Sequence, residues 1–156
     1  MKYIFIFMSI LLMSAHLQAQ TLNSEAIADI SKSRQMINDK RNTALAFNMT
    51  FTEAEREAFW PLYSQYRDAM TNVGTRKLDV IVDYAAHYEE MTEDKAADLL
   101  RRYMIYEEQA LKVKQLYIEK FQRILPPTKV TRLFQIENRM DAAVSLKLSE
   151  GIPLME

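Results

Sequence analysis

From Thr52 onward, apolar residues recur at intervals of three and four: Phe59, Leu62, Tyr63, Tyr66, Met70 and Val73, then Leu78, Ile81, Ala85 and Tyr88. That spacing marks one face of a helix and predicts a single long element ending near the stretch HYEEM. Its start is written in TEAE, where the Thr52 hydroxyl can accept from the Glu55 amide while the Glu55 carboxylate reaches back. Gly74 weakens such a helix by about 1 kcal/mol without ending it, and is where a bend would fall. An earlier helix is predicted from about Ser24 to Phe47. A third begins at Thr92, with Glu93 and Asp94 in its first turn complementing the dipole, and runs to ILPPTK. Pro126 and Pro127 stop it and suit a new start. The fourth carries Val130, Leu133, Ile136, Met140 and Val144 on one side, with Gly151 and Pro153 placed to end it. Short connections imply that successive helices fold back on one another. The expected fold is all-α: four helices, two of them long, in a helical hairpin or cradle-like bundle.

The third helix is over-supplied with apolar residues. Ala96, Leu99, Tyr103, Tyr106, Ala110, Val113, Tyr117, Phe121 and Ile124 form one row, and Leu100, Met104, Leu111, Ile118 and Leu125 form a second. Together they cover about half the circumference, wider than the ~100° stripe that one core requires. Each large side chain left in water forgoes roughly 1.5–3 kcal/mol. One row can face the core; the other needs a second helix layer, a partner subunit or a bound client.

The second helix crowds aromatic rings around Pro61. With Phe59 at zero on the helical wheel, Leu62, Tyr63, Tyr66 and Met70 lie within about 60° and read as core. Trp60 falls about 100° away, on the shoulder, with Arg56 four residues back and able to stack on it. Pro61 denies the Glu57 carbonyl its amide partner and predicts a kink there. Trp60 then has two readings, a ring sealing the kink or a ring that binds a client.

The first nineteen residues change where the protein is expected to work. Lys2 precedes an apolar and Ser run from Tyr3 to Ala15, followed by small and polar residues. That is the layout of a secretory signal over 1–19, cleaved near Ala19, with a retained anchor as the alternative. Residues 20–156 then form a single helical domain without membrane insertion. The chain has no cysteine, so neither a lipid-modified terminus nor a disulfide framework is available. Its formal charge is −1, or −2 without Lys2, and no segment is strongly basic, so nothing calls for nucleic acid. Two glycines, Gly74 and Gly151, supply no phosphate-cradling loop.

Catalytic chemistry is poorly provided for, and no enzyme or cofactor is expected. After the signal the chain keeps one histidine, His87, and neighbouring pairs such as Glu89-Glu90 and Glu107-Glu108 point in different directions on a helix. Glu-x-x-His, which di-iron bundles need, does not occur. His87 with Asp83 and Glu90 offers at most a weak surface metal site lacking a fourth ligand.

The capped starts Phe51-Thr52-Glu53-Ala54-Glu55 and Met91-Thr92-Glu93-Asp94-Lys95 resemble the LTxxQ-type helix starts of the Spy/CpxP family of periplasmic stress proteins, with Glu and Lys where that family has Gln. AFWPLYSQY, ILPPTKVTRLFQIEN and GIPLM are similar to exported proteins that look like relatives of that family. The resemblance implies a periplasmic, ATP-independent chaperone that forms an antiparallel homodimer and binds unfolded or partly folded proteins. Its alternative is an envelope-stress modulator or scaffold with one dedicated partner. Trp60, Leu100, Met104, Leu111 and Ile118 are the candidate client or partner surface. Met36, Met49, Met70, Met91, Met104, Met140 and Met155 suit adaptable contacts, or simply fill helical cores. Glu107 and Lys114 interrupt the apolar rows. An antiparallel pairing about Ala110 and Leu111 sets Glu107 of one copy against Lys114 of the other, a device for dimer register. The competing reading takes both to solvent or to charged residues of neighbouring helices.

Overall fold

The structure, a computed structural model, describes residues 35–149, with side chains as far as Leu146. The signal, the helix start at Ser24 and the Gly151–Pro153 helix end lie outside those residues. Among the described residues there are four α-helices and no strand: α1 over 35–48, α2 over Glu53–His87, α3 over Glu93–Gln122 and α4 over Pro127–Ser149. A 3-10 turn, Tyr88–Glu90, follows α2. The expected all-α architecture with two long helices is what forms. The chain divides into Met1–Thr43 and Ala44–Glu156. In the first unit, residues 35–43 are helical, and the Thr43 hydroxyl donates to the Asp39 carbonyl at 2.9 Å.

In the second unit, the helix starts are those the sequence encodes. The Thr52 hydroxyl accepts from the Glu55 amide at 3.3 Å, and Glu55 Oε2 accepts from the Thr52 amide at 2.7 Å. Thr92 likewise accepts from the Lys95 amide at 3.3 Å. α2 stays helical across both Pro61 and Gly74. Because an added Cβ at Gly74 would meet nothing within 4 Å, no close approach demands glycine there.

α2 and α3 pair antiparallel, as a series of rungs shows. Phe59 meets Phe121 at 5.7 Å and Tyr66 meets Tyr117 at 5.4 Å between ring centroids. Farther out, Arg76 donates to Gln109, Lys77 stands 5.6 Å over the Tyr106 ring, and Arg102 pairs with Asp83. α4 runs back along this hairpin, parallel to α2. Lys129 reaches Glu55 at 2.5 Å, Glu137 reaches Tyr63 and Arg67, and Asp141 reaches Lys114 at 3.2 Å.

The main core sits where α4 covers the hairpin. Leu45, Met49, Phe59, Tyr63, Tyr66, Tyr117, Phe121, Leu125, Val130 and Leu133 form it, with Phe134 edge-on to both Tyr66 and Phe121. Lys129 also binds the carboxylate that caps α2, and Arg132 Nε donates to the Asn48 carbonyl at 2.6 Å. One turn of α4 thereby ties down the junction between α1 and α2. Eight residues of α4 follow Asp141, about 12 Å of helix. On the antiparallel α3 that length reaches back from Lys114 to about Tyr106. Beyond it, within the described residues of this unit, the hairpin continues as α2 and α3 alone. Val80 and Leu99 are the buried apolar residues of that outer part.

Candidate partner-binding face

A two-helix arm can bury only the faces its helices turn toward each other. Leu99, Tyr103, Tyr106 and Ala110 take that inward face on α3, all buried or half-buried. The second row stays outside: Leu100 is 63% exposed and Met104 58%, and Leu111, at a level that α4 also passes, is 55% exposed. By the helix period Met104 and Leu111 lie about 40° and 20° from Leu100, so the three form one straight row. Ile118 falls on the same line but differs. It is half-buried and packed against the core. The apolar surface is thus shorter than the sequence row.

Trp60 is also drawn in. It is half-buried against the core, edge-on to Phe59 at 5.1 Å and to Tyr63 at 6.0 Å. Phe59 in turn stacks on Tyr63 at 5.4 Å and touches Phe51 at 4.5 Å. Among the described residues, the cations that stand over rings are Arg67 on Tyr66, Lys77 on Tyr106 and Lys120 on Tyr117; Arg56 is not one of them. The rings Trp60 touches are thus those of the core. The exposed aromatic of this unit is Phe47, 90% exposed near the end of α1 and outside every apolar row considered above.

The two charges assigned to dimer register have partners within their own chain. Lys114 Nζ donates to Asp141 of α4 at 3.2 Å, the neighbouring-helix alternative. The Tyr103 hydroxyl donates to Glu107, and that bond, with some desolvation, pushes the phenol up to about 12. Ala110 is 6% exposed, so its small side chain serves contact inside the hairpin.

The rim of the exposed row is acidic. Glu93, Glu107 and Glu108 fall about 20°, 20° and 80° from Leu100, and Glu119 about 100°; all four are exposed. Nearby cations are already engaged: Arg101 with Asp98 at 2.5 Å, Lys112 with Glu108 at 2.6 Å, and Lys114 with Asp141. The Lys112 ammonium holds the Glu108 carboxyl below its ordinary value.

At the end of the arm, Asp83 gathers charged side chains. Its carboxylate accepts from Arg102 and from Lys95, the latter at 3.0 and 3.3 Å, and both hold it below the usual carboxylate range, Arg102 most strongly. His87 Nδ1 lies 2.8 Å from the Asp83 carbonyl and 3.1 Å from its Oδ1. Glu90 sits in the 3-10 turn, after α2 has ended. Among the described residues no three His, Cys, Asp or Glu side chains are grouped to hold a metal ion.

The residue that sequence reasoning missed is Glu137, fully buried in α4. It accepts from the Tyr63 hydroxyl at 2.7 Å and from Arg67 at 3.0 Å. The signal was present: Glu137 is four residues after Leu133 on the apolar face, and Tyr63 and Arg67 are four apart on α2. Among the described residues no helix is long and apolar enough to cross a membrane. The chain matches no family model, no characterised protein and no solved structure.

Proposed function

We propose that the protein is a periplasmic, ATP-independent, chaperone-like binder of unfolded or partly folded exported proteins, which it takes on the row Leu100, Met104 and Leu111. The observation that carries this reading is that row, left in water on α3. Three large side chains at that exposure forgo several kcal/mol of burial, by roughly 1.5–3 kcal/mol each when fully buried. A surface kept at such a cost is a reason to look for an occupant. Met104 at the centre of the row adds an adaptable contact suited to varied sequences. Export rests on the pattern of residues 1–19; N-terminal sequencing of periplasmic material should find a start near Gln20 or Thr21, and an intact Met1 contradicts it. The functional test is suppression of aggregation of an unrelated unfolded protein near stoichiometric ratios.

The second reading, an envelope-stress modulator or scaffold with one dedicated partner, draws on the fixed charges beside the row. Glu107 interrupts it and Glu93 lies on its line. A set pattern of this kind favours a matched partner over a general one. Such a protein would fail the aggregation test yet retain one envelope component in pull-down.

A further inference from the structure

The row has a chemical bias beyond being apolar. Every charged side chain within about 80° of Leu100 on its exposed side is acidic, except Lys114, which Asp141 holds. Arg101 and Lys112, just outside that sector, are spent on Asp98 and Glu108. A segment seated on the row therefore meets the Glu107 carboxylate within it and Glu93 and Glu119 beyond its two ends.

A second copy of the same face is a poor occupant. The antiparallel register that sets Met104 against Leu111 also sets Glu107 against Glu108, twice, and like charges opposed in a helical seam are repulsive. The geometry of the arm favours a helix as the guest. α4 covers the hairpin as far as about Tyr106, and the row lies within about 80° of Lys114, the α3 residue that α4 touches. A helical guest there would lie along α3 beside the end of α4 and over the uncovered hairpin beyond it. It would lay residues spaced three and four apart into Leu100, Met104 and Leu111.

We infer that the preferred guest is a cationic amphipathic helix: apolar residues at helical spacing on one side, flanked by Lys or Arg that meet Glu93, Glu107 and Glu119. This rests on the proposed function and narrows it, from unfolded chains in general to segments with basic flanks. Electrostatic complementarity of this kind acts mainly on specificity and on the rate of encounter, and it weakens as salt rises.

The test uses the whole protein and two designed eighteen-residue peptides with identical leucine positions, one with lysine at every polar site and one with glutamate. Fluorescence anisotropy should show the Leu/Lys peptide binding at least tenfold more tightly at low salt, with the ratio shrinking as salt is raised. Glu93→Gln, Glu107→Gln and Glu119→Gln together should abolish the ratio while circular dichroism still shows a folded helical protein at the assay temperature, its melt lowered by loss of the Glu107 partner of Tyr103 and of the Glu93 charge at the start of α3. Glu89→Gln, Glu90→Gln and Asp94→Asn, which neutralise the acidic turn at the arm's tip, should leave it intact. If the tip variant removes the preference and the row variant does not, the inference is overturned. Equal binding of both peptides also overturns it while leaving the row as a client surface. A chain whose row is occupied by a second copy, seen as a dimer lost in Leu100→Ser with Leu111→Ser, overturns it too. Failure of both peptides together with failure to suppress aggregation counts against the proposed function itself.

Discussion

The carboxylate of Glu137, wholly buried in α4, accepts a hydrogen bond from the Tyr63 hydroxyl of α2 at 2.7 Å. Its other oxygen takes Arg67 at 3.0 Å, so one acid fixes how α4 lies along α2. Removing one member of a buried pair strands the other, at about 3–5 kcal/mol. Glu137→Ala should therefore lower stability by that order in denaturant unfolding. Glu137→Leu combined with Arg67→Met, which removes both charges, should recover much of the loss. A neutral Glu137→Ala shows that the carboxylate does not hold α4.

For Trp60, the contacts with Phe59 and Tyr63 decide what to expect. A fully buried tryptophan costs roughly 3–5 kcal/mol when cut to alanine, and a half-buried one should cost about half as much. Trp60→Ala should lower the melting temperature clearly while leaving aggregation suppression intact once the fold is maintained. Loss of suppression with an unchanged melt restores the client-binding reading.

How much of this was legible in the chain depended on what each residue reads locally. The capping box at Thr52 and the stop at Pro126-Pro127 are encoded within a few residues, and both helices start where those signals put them. The inward row of α3 follows from periodicity alone. Periodicity cannot tell which part of a row the neighbouring helices cover, however, so it could not separate Ile118, which packs against the core, from Leu100, Met104 and Leu111, which stay exposed. Glu137 was hidden for a related reason. A charge on an apolar face is read as a flank until the fold supplies its Tyr and Arg from another helix.

Asp83 makes the end of the arm sensitive to acid. Its folded-state carboxyl is lowered by Arg102 and Lys95, so the stabilisation is present above the ordinary aspartate range and is lost as pH falls through the folded value. With an ordinary value near 3.9, the loss should fall below about pH 4. Melting curves between pH 7 and pH 3 should show wild type falling toward Asp83→Asn as the pH drops. Parallel curves over that range would show that the pairing contributes nothing.

Tyr103 behaves in the opposite sense. Its hydroxyl donates to Glu107 and its folded value is raised to about 12, so the contribution is complete below the ordinary value near 10 and disappears as pH rises through 12. Ultraviolet titration should find a tyrosine ionising late, and Glu107→Gln should bring it earlier. A dimer that paired Glu107 with a lysine of a second copy would instead make the late tyrosine depend on protein concentration.

On the proposed function, the exposed row on α3 holds unfolded chains. Light scattering of an unrelated denatured protein diluted into buffer tests it most directly, comparing wild type with Leu100→Ser, Met104→Ser and Leu111→Ser combined. These positions are exposed, so the triple variant should keep its circular dichroism melt. Wild type should suppress scattering near equimolar ratio and the triple variant should lose most of that effect. Equal suppression by both proteins, or none by wild type, contradicts the claim.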